Sequence, residues 1–282
     1  MRKILVLRGG ALGDFIVTLP ALAALRVRWP AAQIELAGNA TAAALGVACG
    51  VLDAAHAQHE ARWGALFSAE PLPAALADWL GTFDLVLSFW PDPDGAIARH
   101  FPRHARQRFL SAAAQPACAP AAAHYCAPLR ELGLGCANLD YRLRPWQPAP
   151  KQIALHPGSG SPAKNWPQPR WQELCRWLPT AGLGAPAIIF GEAEPADLLR
   201  GFGPPWRELP LAALADRLAR CRLFIGHDSG VSHLAAACGV PCVLLFGPTD
   251  PAVWAPPGPH VRVIRRGPEM NAISVDDVRA LL

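Results

Sequence analysis

The stretch that most restricts the fold runs from Leu223 to Gly247, LFIGHDSGVSHLAAACGVPCVLLFG. Leu223 to Ile225 is a short apolar run of strand type. Gly226-His227-Asp228-Ser229-Gly230 is a turn, with glycines where the backbone bends sharply or admits a ligand. Val231 to Cys238 is small and helix-friendly. Gly239 stops that helix, and Pro241 follows. Val240 to Phe246 is a second buried strand. Strand, tight turn, helix and strand in this order form one step of a parallel α/β sheet. The turn stands at the carboxyl end of a strand and the amino end of a helix. Unpaired N–H groups and the helix dipole make that a seat for a phosphate. Asp228 and Ser229 also suit a plain helix cap. Three chemical groups within six residues, Asp228, Ser229 and His233, favour a site, and the next strand also ends in a polar loop, Gly247 to Pro251.

The pattern repeats along the chain. Ile4 to Leu7 is an apolar strand, and Arg8-Gly9-Gly10-Ala11-Leu12-Gly13-Asp14 is its glycine-rich turn. Phe15 to Trp29 has helical spacing, with Pro20 placing a start or a kink. Ile34 to Ala37 is the next strand. The dinucleotide fingerprint GxGxxG fails because Arg8 stands where its first glycine belongs, and no acid closes the second strand. Asp14 reads two ways: as a first-turn cap, or as a carboxylate at the sheet mouth that accepts a hydroxyl proton. Gly10 and Gly13 shape that loop.

Phe83 to Ser88 is a further strand, followed by a basic stretch from Arg99 to Arg108 that reads as a solvated face. Ala112 to Ala123 reads as loop, and Trp146 to Pro150 as a proline-stiffened linker. Gln152 to Leu155 then restarts the pattern. Its loop, His156 to Pro167, holds Ser159, Ser161 and Lys164, the hydroxyls and ammonium that a diphosphate needs. It is not a Walker A loop. The helix from Pro167 to Leu178 follows, and then the strand Ala187 to Phe190. Beyond it, Glu194 and its rival Glu192 are placed to accept from a ribose. Ser274 caps a final helix reaching Leu282.

Length and charge set the outer limits. At 282 residues two domains are expected. A net charge of +4 suits an anionic substrate but is too small to argue for nucleic acid. Eight cysteines without a CxxC pair are expected as reduced thiols of a cytoplasmic chain. The short apolar run at Ile4 to Leu7 does not make a signal peptide.

Three segments, ILVLRGGALGDFIVTLPAL, IALHPGSGSPAKNWP and LFIGHDSGVSHLAAACGVPCVLLFGPTDP, resemble the bacterial ADP-heptose:lipopolysaccharide heptosyltransferases, glycosyltransferase family 9. The resemblance implies an α/β chain of two Rossmann-like, doubly wound domains facing a cleft, the GT-B type. The expected domains are 1–148 for the acceptor and 149–282 for the nucleotide sugar, with helix 274–282 packing back on the first. It implies an inverting transfer of a heptose or related sugar from an ADP-sugar to a hydroxyl of a lipopolysaccharide-core or other glycan. Asp14 would be the general base. Ser159, Ser161 and Lys164 would hold phosphate, Glu194 the ribose, and Asp228, Ser229, Gly230 and His233 the diphosphate and sugar. No metal and no cofactor are expected. A lipid-linked acceptor would bring peripheral contact with the cytoplasmic face of the inner membrane. Past the Leu85 strand the chain lacks the Gln-Gly-Leu pattern of inner-core heptosyltransferases, which leaves the acceptor open. The alternatives are a nucleotide-sugar-modifying or NAD-linked Rossmann enzyme, disfavoured because neither Tyr125 nor Tyr141 begins a Tyr-x-x-x-Lys pair, and a non-catalytic nucleotide-binding protein.

Overall fold

The computed structural model describes residues 1–136, 138–147, 149, 152–191 and 203–282, and the structural statements below concern these residues. The chain divides into two compact units, Met1–Leu139 and Asp140–Leu282.

The first unit begins with β1 (Lys3–Arg8), α1 (Leu12–Ile16), α2 (Leu19–Arg28), β2 (Gln33–Gly38), α3 (Ala40–Ala48) and β3 (Ala54–Ala57). It continues with α4 (Ala74–Leu80), β4 (Leu85–Ser88), β5 (Arg108–Ser111) and α5 (Ala121–Cys126). Its sheet has five parallel strands in the order β3-β2-β1-β4-β5. The apolar runs of β1 and β4 are buried because helices cover both faces of a parallel sheet. Pro20 does not kink one long helix. It sits at the second position of α2, where its missing N–H costs nothing, and α1 ends before it. Trp63, Leu66, Leu80, Phe83 and Val86 pack into one core below the sheet ends.

The second unit holds β6 (Ile153–His156), α6 (Gln168–Thr180), β7 (Ala187–Phe190), β8 (Pro205–Arg207), α7 (Leu211–Leu218) and β9 (Leu223–His227). Then come α8 (Gly230–Ala237), β10 (Cys242–Phe246), α9 (Pro251–Trp254), β11 (Val261–Arg265) and α10 (Val275–Arg279). Its parallel sheet runs β11-β10-β9-β6-β7-β8. In the first sheet the chain steps outward from β1 and then crosses to β4 on the other side. In the second it does the same from β6 to β9. Each crossing is a topological switch point, where the loops beyond the two strand ends part and leave room for a ligand.

Three expectations change. The division falls between Leu139 and Asp140, not at 148. Residues 140–147 belong to the second unit because Leu143 N–H donates to Ala237, Gln147 N–H to Ala219, and the Trp146 indole to Cys221. Trp146, Gln147 and Ala149, expected in a free linker, are therefore docked, the last through its N–H to Arg220. The last helix packs on α6 of its own unit, where Val275 and Val278 are buried and Arg279 pairs with Glu173 at 3.0 Å. The cysteines are not all thiols: Cys126 and Cys136 form a disulfide with Cα atoms 6.1 Å apart. A 3₁₀ turn after α5 and the left-handed Gly133 (φ +70°) fold the chain back and bring the two together, which their spacing alone does not reveal. Burial pushes the Cys175 and Cys221 thiols up to about 12, which leaves them unreactive.

Candidate functional site

The turn after β1 is built around a buried cation. Arg8, at the last position of the strand, is only 4% exposed. Its Nη2 donates to Asp14 Oδ1 at 2.9 Å and to the Tyr125 hydroxyl at 2.9 Å, and its Nε donates to the Asp14 carbonyl at 3.0 Å. The guanidinium carbon lies 4.3 Å from the Tyr125 ring centre. Tyr125 passes its own proton to the Ala114 carbonyl at 2.8 Å. A buried guanidinium needs a counter-charge, and Asp14 supplies it.

Asp14 thus serves both sequence readings. Its Oδ2 accepts the Ala11 N–H at 2.8 Å, a cap of α1. The side chain still keeps about a third of its surface, 30%, in solvent, so lone pairs remain for a substrate proton. Gly10 is obligatory here: its φ of +95° is left-handed, and a Cβ would run into the Asp14 carboxylate. Gly13 lies inside α1, its carbonyl accepting from Val17. Burial raises the Tyr125 phenol, with Arg8 opposing that shift and Asp14 adding to it, so the hydroxyl stays a donor. Arg8 and Tyr125 were not foreseen as site residues. The only sequence signal was Arg8 standing where a nucleotide fingerprint has glycine.

In the second unit the switch point gathers the loops after β6 and β9. Ser159 Oγ lies 2.8 Å from the Ser161 carbonyl and 2.7 Å from Asn165 Oδ1, and accepts the Ser161 N–H at 3.3 Å. The loop is thereby folded onto itself with Lys164 at its far end. Lys164 Nζ meets Asp228 Oδ2 at 2.7 Å, joining the two loops. Ser229 is the N-cap of α8, accepting the Ser232 N–H at 3.3 Å, and stands 3.2 Å from His156 Nδ1. Gly230 is the first residue of α8. His233 is also on α8 but is buried, 5% exposed. Ser159, Ser161, Lys164, Asp228, Ser229 and Gly230 therefore flank one switch point. Glu194 and Glu192 lie outside the described residues. The exposed arginines at 99, 103, 106 and 108 form a largely solvated face, from which His100 and Gln107 are withdrawn.

His227 is a further residue the sequence reading passed over as part of a turn. It is fully buried, and its Nε2 accepts the Trp166 N–H at 2.8 Å. That bond holds the end of the Ser159–Lys164 loop against β9. Burial, and to a lesser degree the neighbouring His156, lowers its pKa to about 3, with the Gly158 backbone opposing. It is neutral when folded, as an acceptor must be. The unfolded imidazole takes a proton below about 6.5. As pH falls from there toward about 3, the unfolded state holds one more proton and is favoured. Stability should drop by about 1.4 kcal/mol per pH unit in that window and be whole above it. Urea unfolding at pH 7, 6, 5 and 4 checks this. The slope should be shallower by one proton in His227→Phe, and equal slopes would show that His227 is not the titrating group.

Two α/β units with loop sites at their switch points invite comparison with known proteins. The family model described as glycosyltransferase family 9 (heptosyltransferase) matches residues 102–280, more than half of the chain. Lipopolysaccharide heptosyltransferase 1 of Escherichia coli K12 is 30% identical over 126 residues, 42% of this chain and 38% of the relative. The protein of the same description from Pseudomonas aeruginosa is 37% identical over 108 residues, 36% of this chain and 30% of the relative. The matched part thus spans less than two-fifths of these relatives. Among solved structures, a glycosyl transferase family 9 protein from Veillonella parvula superposes with a TM-score of 0.79 at 19% identity, covering 99% of this chain and 95% of that one. E. coli heptosyltransferase WaaC, solved with ADP, gives 0.76 at 20% identity, covering 99% and 98%. These likenesses bear out the expected fold class, two parallel α/β domains of the GT-B type. The chain belongs to glycosyltransferase family 9, the heptosyltransferase family.

Proposed function

We propose that the protein is an inverting glycosyltransferase that moves a heptose or related sugar from an ADP-sugar to a hydroxyl of a lipopolysaccharide-core or other glycan acceptor. The observation that carries this reading is the second switch point, where Lys164, the Ser159 loop and the amino end of α8 converge around Ser229. Donors and a cation arranged in this way suit a diphosphate. The E. coli relative was solved with ADP, which supports adenine over other bases.

In this reading the acceptor oxygen attacks the anomeric carbon from the face opposite the diphosphate. Its proton passes to Asp14. The bond from the anomeric carbon to the terminal phosphate oxygen breaks, and the pair leaves on ADP. The transition state is oxocarbenium-like. Lys164 and the α8 N–H groups stabilise the charge that develops on the leaving phosphate. His227 and Trp166 keep their loop in place while this happens. No metal takes part in the scheme.

The reading is tested by calorimetric titration of ADP, UDP, GDP and NAD, with and without magnesium. ADP should bind tightest and indifferently to magnesium. A preference for UDP or GDP would move the donor away from an ADP-sugar, and NAD alone would return the chain to redox chemistry. For a lipid-linked acceptor, Arg103 and Arg106 would contact anionic headgroups at the cytoplasmic face of the inner membrane. Among the described residues no helix is long and apolar enough to cross a membrane.

A further inference from the structure

The rim of the first unit carries a second feature that the reaction scheme does not use. Where β1, β3 and β4 end, Gly9, Gln58, His59, Trp63, Phe67 and Trp90 surround an open cavity of about 600 Å³. Its floor is aromatic. Trp63 and Trp90 meet edge to face at 5.5 Å, and Phe67 stacks on Trp90 at 6.1 Å with the planes 18° apart. Trp63 and Trp90 are 2% and 6% exposed, and Trp79 backs Trp63 at 5.8 Å. Only Phe67 stands out, 51% exposed. A single exposed apolar side chain is ordinary. A ring held parallel to an indole at the mouth of a cavity is a shaped platform.

The polar groups around that platform are unspent. The Trp90 indole N–H, the Gln58 amide and the His59 ring have no side-chain hydrogen bond among the described residues. A Cβ at Gly9 would stand 3.1 Å from Gln58 Oε1 and 3.6 Å from Trp90 Nε1, so glycine there keeps both within reach of a guest. No lysine or arginine lines the cavity. The one carboxylate, Glu60, is already committed to the Ala57 N–H at 2.7 Å and to Arg62 at 2.8 Å. A guest must therefore offer an apolar face to the rings and several hydroxyls to an amide, an indole and an imidazole. An anion would be desolvated with no cation to meet it.

We propose that this cavity is a saccharide subsite that seats an uncharged sugar ring, its C–H face on Phe67 and Trp90 and its hydroxyls on Gln58, His59 and the Trp90 N–H. Aromatic faces are electron-rich and attract such weakly positive C–H edges. The site lies beside the switch point of the first sheet, on the same rim as Asp14. Assigning the ring to the acceptor rests on the glycosyltransferase reading, whereas the binding itself does not.

The test is ligand-observed NMR on the full chain. The probes are methyl α-D-mannopyranoside and methyl α-D-glucopyranoside, the matching uronates, and adenosine. At least one neutral glycoside should bind, and each uronate should bind several-fold more weakly. Phe67→Ala, which touches an exposed ring and should unfold at the wild-type temperature, should weaken the neutral glycoside about tenfold. Trp90→Phe keeps a ring but removes the N–H, and should cost about threefold. The proposal is overturned if no neutral glycoside binds, if a uronate or adenosine binds better, or if Phe67→Ala changes nothing. Absence of turnover with every ADP-sugar would defeat the transferase reading while leaving these binding results as they stand.

Discussion

Asp14→Asn should lower turnover by about a hundred- to ten-thousand-fold, the usual worth of a positioned general base. The change is isosteric but leaves one oxygen where Asp14 uses two, Oδ2 for the Ala11 N–H and Oδ1 for Arg8, so one of these donors loses its partner. What it removes is the negative charge that balances Arg8 and the site that takes the proton. Arg8 is only 4% exposed, so its uncompensated guanidinium should also lower the thermal midpoint. The decisive comparison is turnover against nucleotide affinity and thermal midpoint. Lost turnover with near-normal nucleotide affinity, both measured below the variant's thermal midpoint, assigns the base. A fall of tenfold or less would make Asp14 only the counter-ion and cap of the Arg8 turn, and the proton acceptor would have to be sought elsewhere.

Lys164→Ala should weaken ADP binding by more than the loss of one point charge. Asp228 is only 8% exposed, and Lys164 is its neutralising partner at 2.7 Å. Removing the lysine leaves a buried carboxylate beside the proposed diphosphate seat. Truncating one member of such a pair costs about 2–4 kcal/mol, roughly thirty- to a thousandfold in affinity. The sign of the explanation is tested by the double variant. Lys164→Ala with Asp228→Asn removes the stranded charge, so it should regain about tenfold of the loss. If the two changes simply add, the pair is not coupled, and Lys164 acts as an independent phosphate contact.

The parts of the fold that showed in the sequence are those whose signal is local. β1, β6, β9 and β10 are unbroken apolar runs because both faces of a parallel sheet are covered. The loops that follow β1, β6 and β9 carry their glycines, serines and acids in plain order. Edge strands did not show. β8 is buried only at Trp206, β11 at Ile264 and β5 at Leu110, so none has an apolar run to read. The site was half legible for the same reason. Asp14, Lys164 and Asp228 stand in recognisable turns. Tyr125 reaches Arg8 across 117 residues, and His227 reaches Trp166 across 61. No spacing rule connects such pairs. Only tertiary packing shows that an arginine in a glycine-rich turn is a buried cation, and that a turn histidine is a fixed acceptor.

The carbonyl of Ile273 accepts two donors at once, the Trp166 indole at 2.9 Å and the Arg170 guanidinium. Trp166 is the same residue whose backbone His227 holds. The loop bearing Ser159 and Lys164 is thus moored at one end to a sheet and to the segment just before α10. A displacement of that segment should therefore reach the Ser159–Lys164 loop through the Trp166 side chain. Fusions or truncations that displace α10 should in turn alter ADP affinity without touching any residue of the proposed donor site.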